Sequence, residues 1–432
     1  MKENKSKINI IYGIEDKPVL SKAVPLAFQH VLAMFAGNIT VPLLLSALLV
    51  LPKQETAFLI QCALFIAGIT TLIQIIKYKG VGSGLPIVMG TSNAFIPVVL
   101  AIAKTSGIGG VLGASFIGGL FEIFIGKNLS KLKRFLTPML SGVVVLTIGI
   151  TLIPVSIRQA AGGNTDMGNL RSILISSIVL VTIIIFNQNK NKFLKSSSIL
   201  LGLMVGYIIS FFMGEVDISP VIESNWVSMP RPFAYKWTFE PGAVIAMLFM
   251  YLATSIETIG DISALTIGAE GREPRNEEMS GGVIADGLGS SLAALFNGFP
   301  NTSYTQNIGV VSLTGVFSRH VVKIGGIILI ILSLFPKFAA LIAIMPEPVL
   351  GGAAIAMFSM IAVTGISLLQ NIELNSRNIL IITVSLGLSI GLNLVPEATQ
   401  QLPANLQLIL RSGVVPSALI TMVLDLVLPE NQ

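Results

Sequence analysis

GVGSGLPIVMGTSNAFIP, residues 80–97, and GFPNTSYTQNIGVVSLTG, residues 298–315, are apolar stretches broken by glycine, proline, serine and asparagine. They lie among uninterrupted apolar runs, and their reading decides the fold. The first begins about 56 residues after the first apolar run starts at Val24; the second begins about 57 residues after another run starts at Pro241. Short, Gly/Pro-interrupted hydrophobic segments at matching positions in two halves are the best sequence pointer to a transporter's binding site. The reason is backbone hydrogen bonding. Unpaired N–H and C=O groups cannot face lipid, so irregular backbone at membrane depth must line a protein-enclosed cavity. A half-helix that starts inside the membrane also aims free N–H groups and a positive dipole end at that cavity. The competing reading is two kinked helices in a tight bundle, where small residues let backbones approach. The matching of the two breaks favours a site.

Composition supplies the surrounding solvent. The chain has 432 residues, of which 53% are hydrophobic and 11% charged, with mean hydropathy +0.83. Soluble domains carry about 25% charged residues. The 27 Lys+Arg and 22 Asp+Glu cannot cover a water-facing surface of this size, which excludes a soluble enzyme, a nucleic-acid binder and a disordered chain. The net charge of +5 is no nucleic-acid footprint, because the basic residues fall between apolar runs. Cys62, the single cysteine, can form neither an intrachain disulfide nor a cysteine-based metal site, and reads as an inert thiol. No H-E-x-x-H, P-loop or G-x-S-x-G occurs, so neither an enzyme nor a cofactor or metal is expected. Gly109 to Gly113 spells G-x-x-x-G and reads as helix packing.

Apolar segments of roughly 17–25 residues, the length that crosses about 30 Å of hydrocarbon, recur from Val24 to the end. Fourteen are predicted, near 24–47, 55–76, 84–103, 108–126, 135–155, 171–187, 196–213, 241–268, 280–297, 302–317, 320–343, 347–368, 377–395 and 412–428. The first 22 residues carry Lys2, Lys5, Lys7, Lys17 and Lys22 with no apolar stretch before them, so no cleaved signal is expected. With the N-terminus inside, 19 of the 27 basic residues fall on cytoplasmic segments and 8 outside. They include Lys133 and Arg134 on the inner side. Short cytoplasmic loops collect Lys and Arg, so both termini are expected in the cytoplasm. The polar stretch 214–240 divides the chain into a cytoplasmic segment 1–23, a first repeat 24–213 and a second repeat 241–428. Seven segments in each half would reverse the second half and make an inverted repeat.

The eighth segment carries Glu257 and Asp261 at i, i+4, on one helix face. A charge at the bilayer centre costs about 2.5–3.5 kcal/mol on insertion scales, so such residues normally face a cavity and function there. Burial and a like-charged neighbour each favour a protonated carboxyl, which suits a proton-coupled carrier. The plainer reading of Asp261 is a helix end in interfacial water. Asp286, between glycines in GGVIADGLGSS, is a third intramembrane carboxylate, with helix–helix hydrogen bonding as its plainer role. His30 is the histidine inside a span, beside Gln29, and a structural hydrogen-bond donor competes with a substrate contact. His320 reads as a loop residue.

These residues resemble a known family. Gln306-Asn307-Ile308-Gly309 through Thr314 to Ser318-Arg319 looks like the Q/E-N-x-G-x4-T-x3-S-R signature of the nucleobase–ascorbate transporter family. Gln29-His30, Gly90-Thr91-Ser92 and Glu257…Asp261 follow as further landmarks in the expected order, over nearly the whole chain. The resemblance implies an all-α polytopic protein of fourteen membrane segments in a 7+7 inverted repeat, with core and gate domains. Segments 3 and 10 would each pair a short strand with a half-helix. It implies substrate contacts from Glu257, Gln306 and Asn307, with Asn93, Ala94, Phe95, Tyr304 and Thr305 around them. Asp261, Asp286, His30, Gln29, Thr314 and Arg319 would support the site and proton coupling. Family members are mostly proton symporters of the plasma membrane and often homodimers, so protons rather than sodium are the expected partner, with a nucleobase as substrate. Uracil-type members tend to carry Glu where Gln306 stands; an amide offers both a donor and an acceptor, as xanthine or uric acid requires. Ile308 stands where many xanthine carriers have a second Asn, and Asn93 where an aromatic residue is usual. The expected activity is proton-coupled uptake of xanthine or uric acid, with uracil, or an anion in a carrier of similar architecture, as alternatives.

Overall fold

The computed structural model describes residues 10–132, 137–163, 166–370 and 372–429. Lys2, Lys5, Lys7, Lys133 and Arg134, which enter the charge asymmetry, lie outside the described residues, as do positions 1–9 of the expected N-terminal segment. The chain is mostly helical. Its first half runs through α1 (Leu20–Leu49), α2 (Lys53–Gln74), the short strand β1 (Met89–Thr91), a 3-10 turn (Asn93–Phe95), α3 (Ile96–Lys127), α4 (Leu129–Leu132), α5 (Pro138–Ala160), α6 (Leu170–Asn187), α7 (Lys192–Ser196) and α8 (Ser198–Phe212). After α9 (Ser219–Glu223) come α10 (Pro241–Glu270), α11 (Asn276–Leu295), the strand β2 (Asn301–Ser303) and α12 (Thr305–Thr314). The chain continues with α13 (Arg319–Ser333), α14 (Pro336–Ala343), α15 (Glu347–Leu369), α16 (Ser376–Leu394), α17 (Ala404–Arg411) and α18 (Val414–Val427).

Among the described residues, eight helices are long and apolar enough to cross a membrane, or ten if each of two bent pairs counts as one span. Several expected boundaries move, each for a backbone reason. The expected segment 320–343 is two helices, α13 and α14, meeting at 83°. Pro336 lacks an N–H and forces the preceding Phe335 out of the helical region, so the first helix ends there. The expected segment 412–428 is likewise reached through α17, bent 83° from α18 at Gly413, whose φ of 72° suits glycine alone. Segments 3 and 4 share the single long α3, turned at Gly107 (φ 62°, ψ −167°). Gly109 and Gly113 do not meet another helix: they lie against the backbone of Lys236 and Thr238, and Thr238 N–H donates to Gly109 O at 3.2 Å.

The two broken stretches meet. β1 and β2 form an antiparallel pair in the register Met89↔Ser303, Gly90↔Thr302, Thr91↔Asn301. A two-stranded sheet leaves two unpaired edges, which are costly where water is absent. Side chains from neighbouring helices satisfy them. Thr71 Oγ1 of α2 accepts from Met89 N–H at 2.9 Å, Asn38 Oδ1 of α1 accepts from Thr91 N–H at 2.7 Å, and Ser290 Oγ of α11 accepts from Asn301 N–H at 3.0 Å. Tyr304 O–H then crosses the pair to Thr91 O at 2.6 Å.

Helices around this centre pack through glycines. α11 crosses α3 at Gly119 and Gly287, where an added Cβ on either would overlap the other helix's backbone. At the start of α11, Glu278 accepts from Arg275 N–H and from both terminal guanidinium nitrogens of Arg272 at 2.8 Å. Away from the centre, α5 and α15 lie against each other along Gly142, Gly149, Gly351 and Gly365. Gly149→Leu should force these helices apart and lower the unfolding midpoint in detergent by an amount matching about 1–3 kcal/mol of overpacking. Gly387→Ala, where nothing lies within 4 Å, should not lower the midpoint in the same thermal scan, since alanine is the better helix former there.

Candidate functional site

A cavity of about 280 Å³ opens beside the paired strands, close to the lower end of the roughly 300–1,000 Å³ range of small-molecule pockets. Its two walls differ in chemistry. One is built from the starts of the two broken-segment helices and from α10: Asn93 and Ala94 on one side, Tyr304, Thr305 and Gln306 on the other, with Glu257 between. The opposite wall is apolar apart from Thr364, with Val145 and Ile148 from α5, Ile199 from α8, and Met357, Met360 and Ile361 from α15. Thr364 O–H is turned back to Met360 O at 3.0 Å. α12 and the 3-10 turn leading into α3 both begin at the cavity, so their positive ends face it. No lysine or arginine lines it among the described residues.

Glu257 is half-buried on this wall and makes no hydrogen bond or ion pair to another described residue. Four residues on, about one helical turn, Asp261 is buried and held by the other broken segment. It accepts from Ser303 O–H at 2.6 Å and from Thr305 O–H at 2.8 Å. The i, i+4 spacing therefore places the two carboxyls on one face but gives them different partners: one is left to the cavity, the other fastens α10 to β2 and α12. Asp286, fully buried on α11, accepts from Thr258 O–H and from Gln74 Nε2–H at 3.4 Å.

The remaining expected residues separate into those near the cavity and those beyond it. Phe95 does not line the cavity; it is buried against the Tyr251 ring, centroids 4.7 Å apart. Asn307 also points away. Its Nδ2 donates to His30 Nδ1 at 3.1 Å and to His30 O at 3.0 Å. An amide N–H₂ can only donate, so Nδ1 is the acceptor and His30 carries its proton on Nε2. Gln29, half-buried, has no side-chain hydrogen bond among the described residues. Thr314 closes the end of α12, donating to Val310 O at 2.8 Å and accepting from Val316 N–H at 3.2 Å.

Arg319 lies outside the cavity. Its side chain pairs with Glu15, its N–H donates to Ile14 O at 3.1 Å, and the neighbouring Ser318 O–H donates to Asp16 O at 2.6 Å. The last third of the signature thus holds the chain segment before α1, with Tyr12 bridged to Val316.

Three kinds of residue escaped the sequence reading. Thr302 and Ser303 line the cavity from β2, and Ser92, noted only as part of a landmark, lines it from the residue after β1; their place in the broken stretches was the available signal. The apolar wall from α5, α8 and α15 carried none, since its residues look like any lipid-facing face. Glu122, a fully buried carboxyl near the C-terminal end of α3, was open to the same rule that singled out Glu257.

A family model described as "Permease family" matches residues 21–398. A Clostridium perfringens protein named as a purine permease is 38% identical over 429 residues, covering 99% of this chain and 94% of that protein. The xanthine permease XanP of Escherichia coli K12 is 36% identical over 443 residues, covering 98% and 95%. Among solved structures, the transmembrane domain of a cyanobacterial bicarbonate transporter, BicA, aligns over 95% of this chain and 98% of its own with a TM-score of 0.56 at 16% identity, a likeness of fold.

Ser303→Ala leaves Asp261 Oδ2 without its 2.6 Å partner. It should lower the detergent unfolding midpoint by an amount matching about 1–3 kcal/mol. Arg319→Ala, which breaks a partly exposed ion pair, should cost less than about 1 kcal/mol in the same assay.

Proposed function

The chain belongs to the Permease family, and from that membership we propose a secondary active transporter that takes up xanthine or uric acid together with a proton. It is a multi-pass membrane protein and not an enzyme. The observation that carries the reading is Glu257: a carboxyl without a protein partner, facing a cavity next to Gln306 and two helix starts. A planar oxo-purine presents alternating N–H and C=O groups along its edge. Glu257 would accept from N–H groups, Gln306 would donate and accept along another edge, and backbone N–H groups at the helix starts would meet carbonyl oxygens. The ring faces would lie against the apolar wall of α5 and α15. Asn93, at the cavity across from Gln306 on the other broken segment, adds an amide for a purine too large for a uracil-sized site.

The wider reading is a fourteen-segment inverted repeat, 24–213 and 241–428 about the linker 214–240, with both termini cytoplasmic in the plasma membrane, working as a homodimer. The paired broken segments with α10 and α11 would form the core that carries substrate past a gate containing α5 and α15. Proton coupling is favoured over sodium because Glu257, Asp261 and Asp286 can each carry a proton, while among the described residues no three carboxyl, histidine or cysteine side chains gather to hold a metal ion. The proton-motive force supplies about 2.3 kcal/mol per charge per 100 mV, enough for more than tenfold accumulation.

The fold is also that of an anion carrier, but a sulfate- or bicarbonate-type anion has no ring N–H to offer Glu257, and among the described residues no lysine or arginine lines the cavity to offset that carboxyl, which weighs against that reading. Uracil stays as the substrate alternative.

Uptake of radiolabelled xanthine, urate and uracil into transport-deficient cells, with and without an uncoupler, tests the function. Xanthine or urate should accumulate and the uncoupler should abolish accumulation; no accumulation of any base, or indifference to the uncoupler, rejects the symport reading. Glu257→Gln replaces a charged acceptor worth about 1.5–3 kcal/mol and should weaken binding about ten- to hundredfold. Retained high-affinity uptake would remove Glu257 from the site.

A further inference from the structure

Glu122 sits in the part of α3 that crosses α10 and α11, fully buried. On the α11 side, Gly287 comes so close that a Cβ there would lie 3.0 Å from Glu122 Cβ, with Asp286 the adjoining residue. On the α10 side, Glu122 Oε1 lies 3.4 Å from Thr254 Oγ1 and 3.3 Å from Ser255 Oγ. Oε2 has no partner. The titratable groups around it are Tyr251 and Glu257 on α10 and Asp286 on α11; none is a cation.

Counting hydroxyl protons decides what this arrangement is. Ser255 has one O–H, and it lies 2.7 Å from Tyr251 O, the usual length for an O–H···O bond. Thr254 has one O–H, with Met250 O at 3.2 Å and Tyr251 O at 3.4 Å within reach. Neither hydroxyl is committed to Glu122: Ser255 and Thr254 stay 3.3–3.4 Å from Oε1, while acceptors on their own helix are as near or nearer. An anion with one oxygen unpartnered and the other held only at that length has nothing to offset its desolvation. A neutral acid asks for less: it needs one acceptor for its O–H, and the Ser255 and Thr254 oxygens, whose protons have acceptors on their own helix, are the nearest, within reach of a small side-chain rotation.

We propose that Glu122 is held as a neutral carboxylic acid that donates to the Ser255/Thr254 hydroxyls and so acts as a positioning residue, tying α3 to α10 just ahead of Glu257. The proton stays on Glu122 through the transport cycle, because the hydroxyls beside it can accept from it while their own protons have acceptors on α10. Its effect reaches substrate through the position of Glu257, two residues beyond Ser255, so the inference rests on the nucleobase-uptake reading.

The full-length protein in membrane vesicles tests this with xanthine as probe. Glu122→Gln keeps a donor and the shape, and should keep KM within about twofold of wild type with an unchanged pH profile. Glu122→Leu keeps the volume but loses the donor, and should raise KM about tenfold at equal protein in the membrane, a loss on the scale of a small misplacement at the site. If Glu122→Leu fails to reach the membrane, Ser255→Ala, which removes the acceptor, should raise KM in the same direction. A Glu122→Gln protein that loses uptake or shifts its pH profile overturns the proposal, because a proton then comes and goes at this position. Wild-type KM in both Glu122→Leu and Ser255→Ala overturns the positioning role. Should the wild type itself move no nucleobase, the transport reading fails separately. Infrared spectra at mildly alkaline pH, where exposed carboxyls are ionised, then decide for Glu122: a protonated-carboxyl C=O band lost in Glu122→Gln supports the neutral acid, and an unchanged band rejects it.

Discussion

Backbone hydrogen bonding where water is absent is the constraint on which the rest of this structure depends. Two three-residue strands, Met89–Thr91 and Asn301–Ser303, interrupt apolar segments and expose N–H and C=O groups on both edges. They pair with each other on one side, and hydroxyl and amide side chains from α1, α2 and α11 complete the other. Those helices are therefore drawn to one centre, with glycines where they touch. The same arrangement leaves two helix starts free beside the pair. Both starts line the cavity, and the first N–H groups of α12 and of the turn into α3 precede the helical ladder and are not used by it.

The carboxyls of this region sort by what reaches them. Asp261 receives hydroxyls from β2 and α12, Asp286 receives Thr258 and Gln74, Glu122 sits beside hydroxyls already committed to their own helix, and Glu257 is left to the cavity. Distinct environments around chemically similar groups are how one helix bundle can separate a substrate contact from fastening points. Thr258 sits at the junction: it bonds Asp286 and lies 3.3 Å from Thr302 Oγ1. α10 thus carries the contact facing the cavity on one side and the ties to α3 and α11 on the other, so motion of the strand pair and of Glu257 is mechanically joined.

Much of this was legible in the chain. Glu257 and Asp261 stood out because a charge in an apolar run is costly unless it faces a cavity, and the two broken stretches stood out by matching position. The signature was legible as a unit but not in its parts. Gln306 lines the cavity, Asn307 turns inward to His30, and Ser318 and Arg319 grip the segment around Asp16. One run of residues serves three tasks, because a ten-residue half-helix points its start at the cavity and its end at the segment before α1. Phe95 was assigned to the site by its neighbours and went instead to a ring contact with Tyr251. The bends at Pro336 and Gly413 carried local signals, whereas their 83° angles did not.

By itself the sequence determined the solvent, the apolar segments, the two breaks and the carboxyls that must be housed, because each follows from composition and local backbone chemistry. Only the tertiary structure decided that β1 and β2 pair, in which register, and which helices complete their edges. It also decided that the wall opposite Glu257 comes from α5, α8 and α15, and that Asp261 rather than Glu257 is taken up by Ser303 and Thr305. The physical reason is that each outcome joins residues tens to hundreds of positions apart. Such contacts depend on which unsatisfied polar groups reach one another in a medium without water, and no local pattern records that.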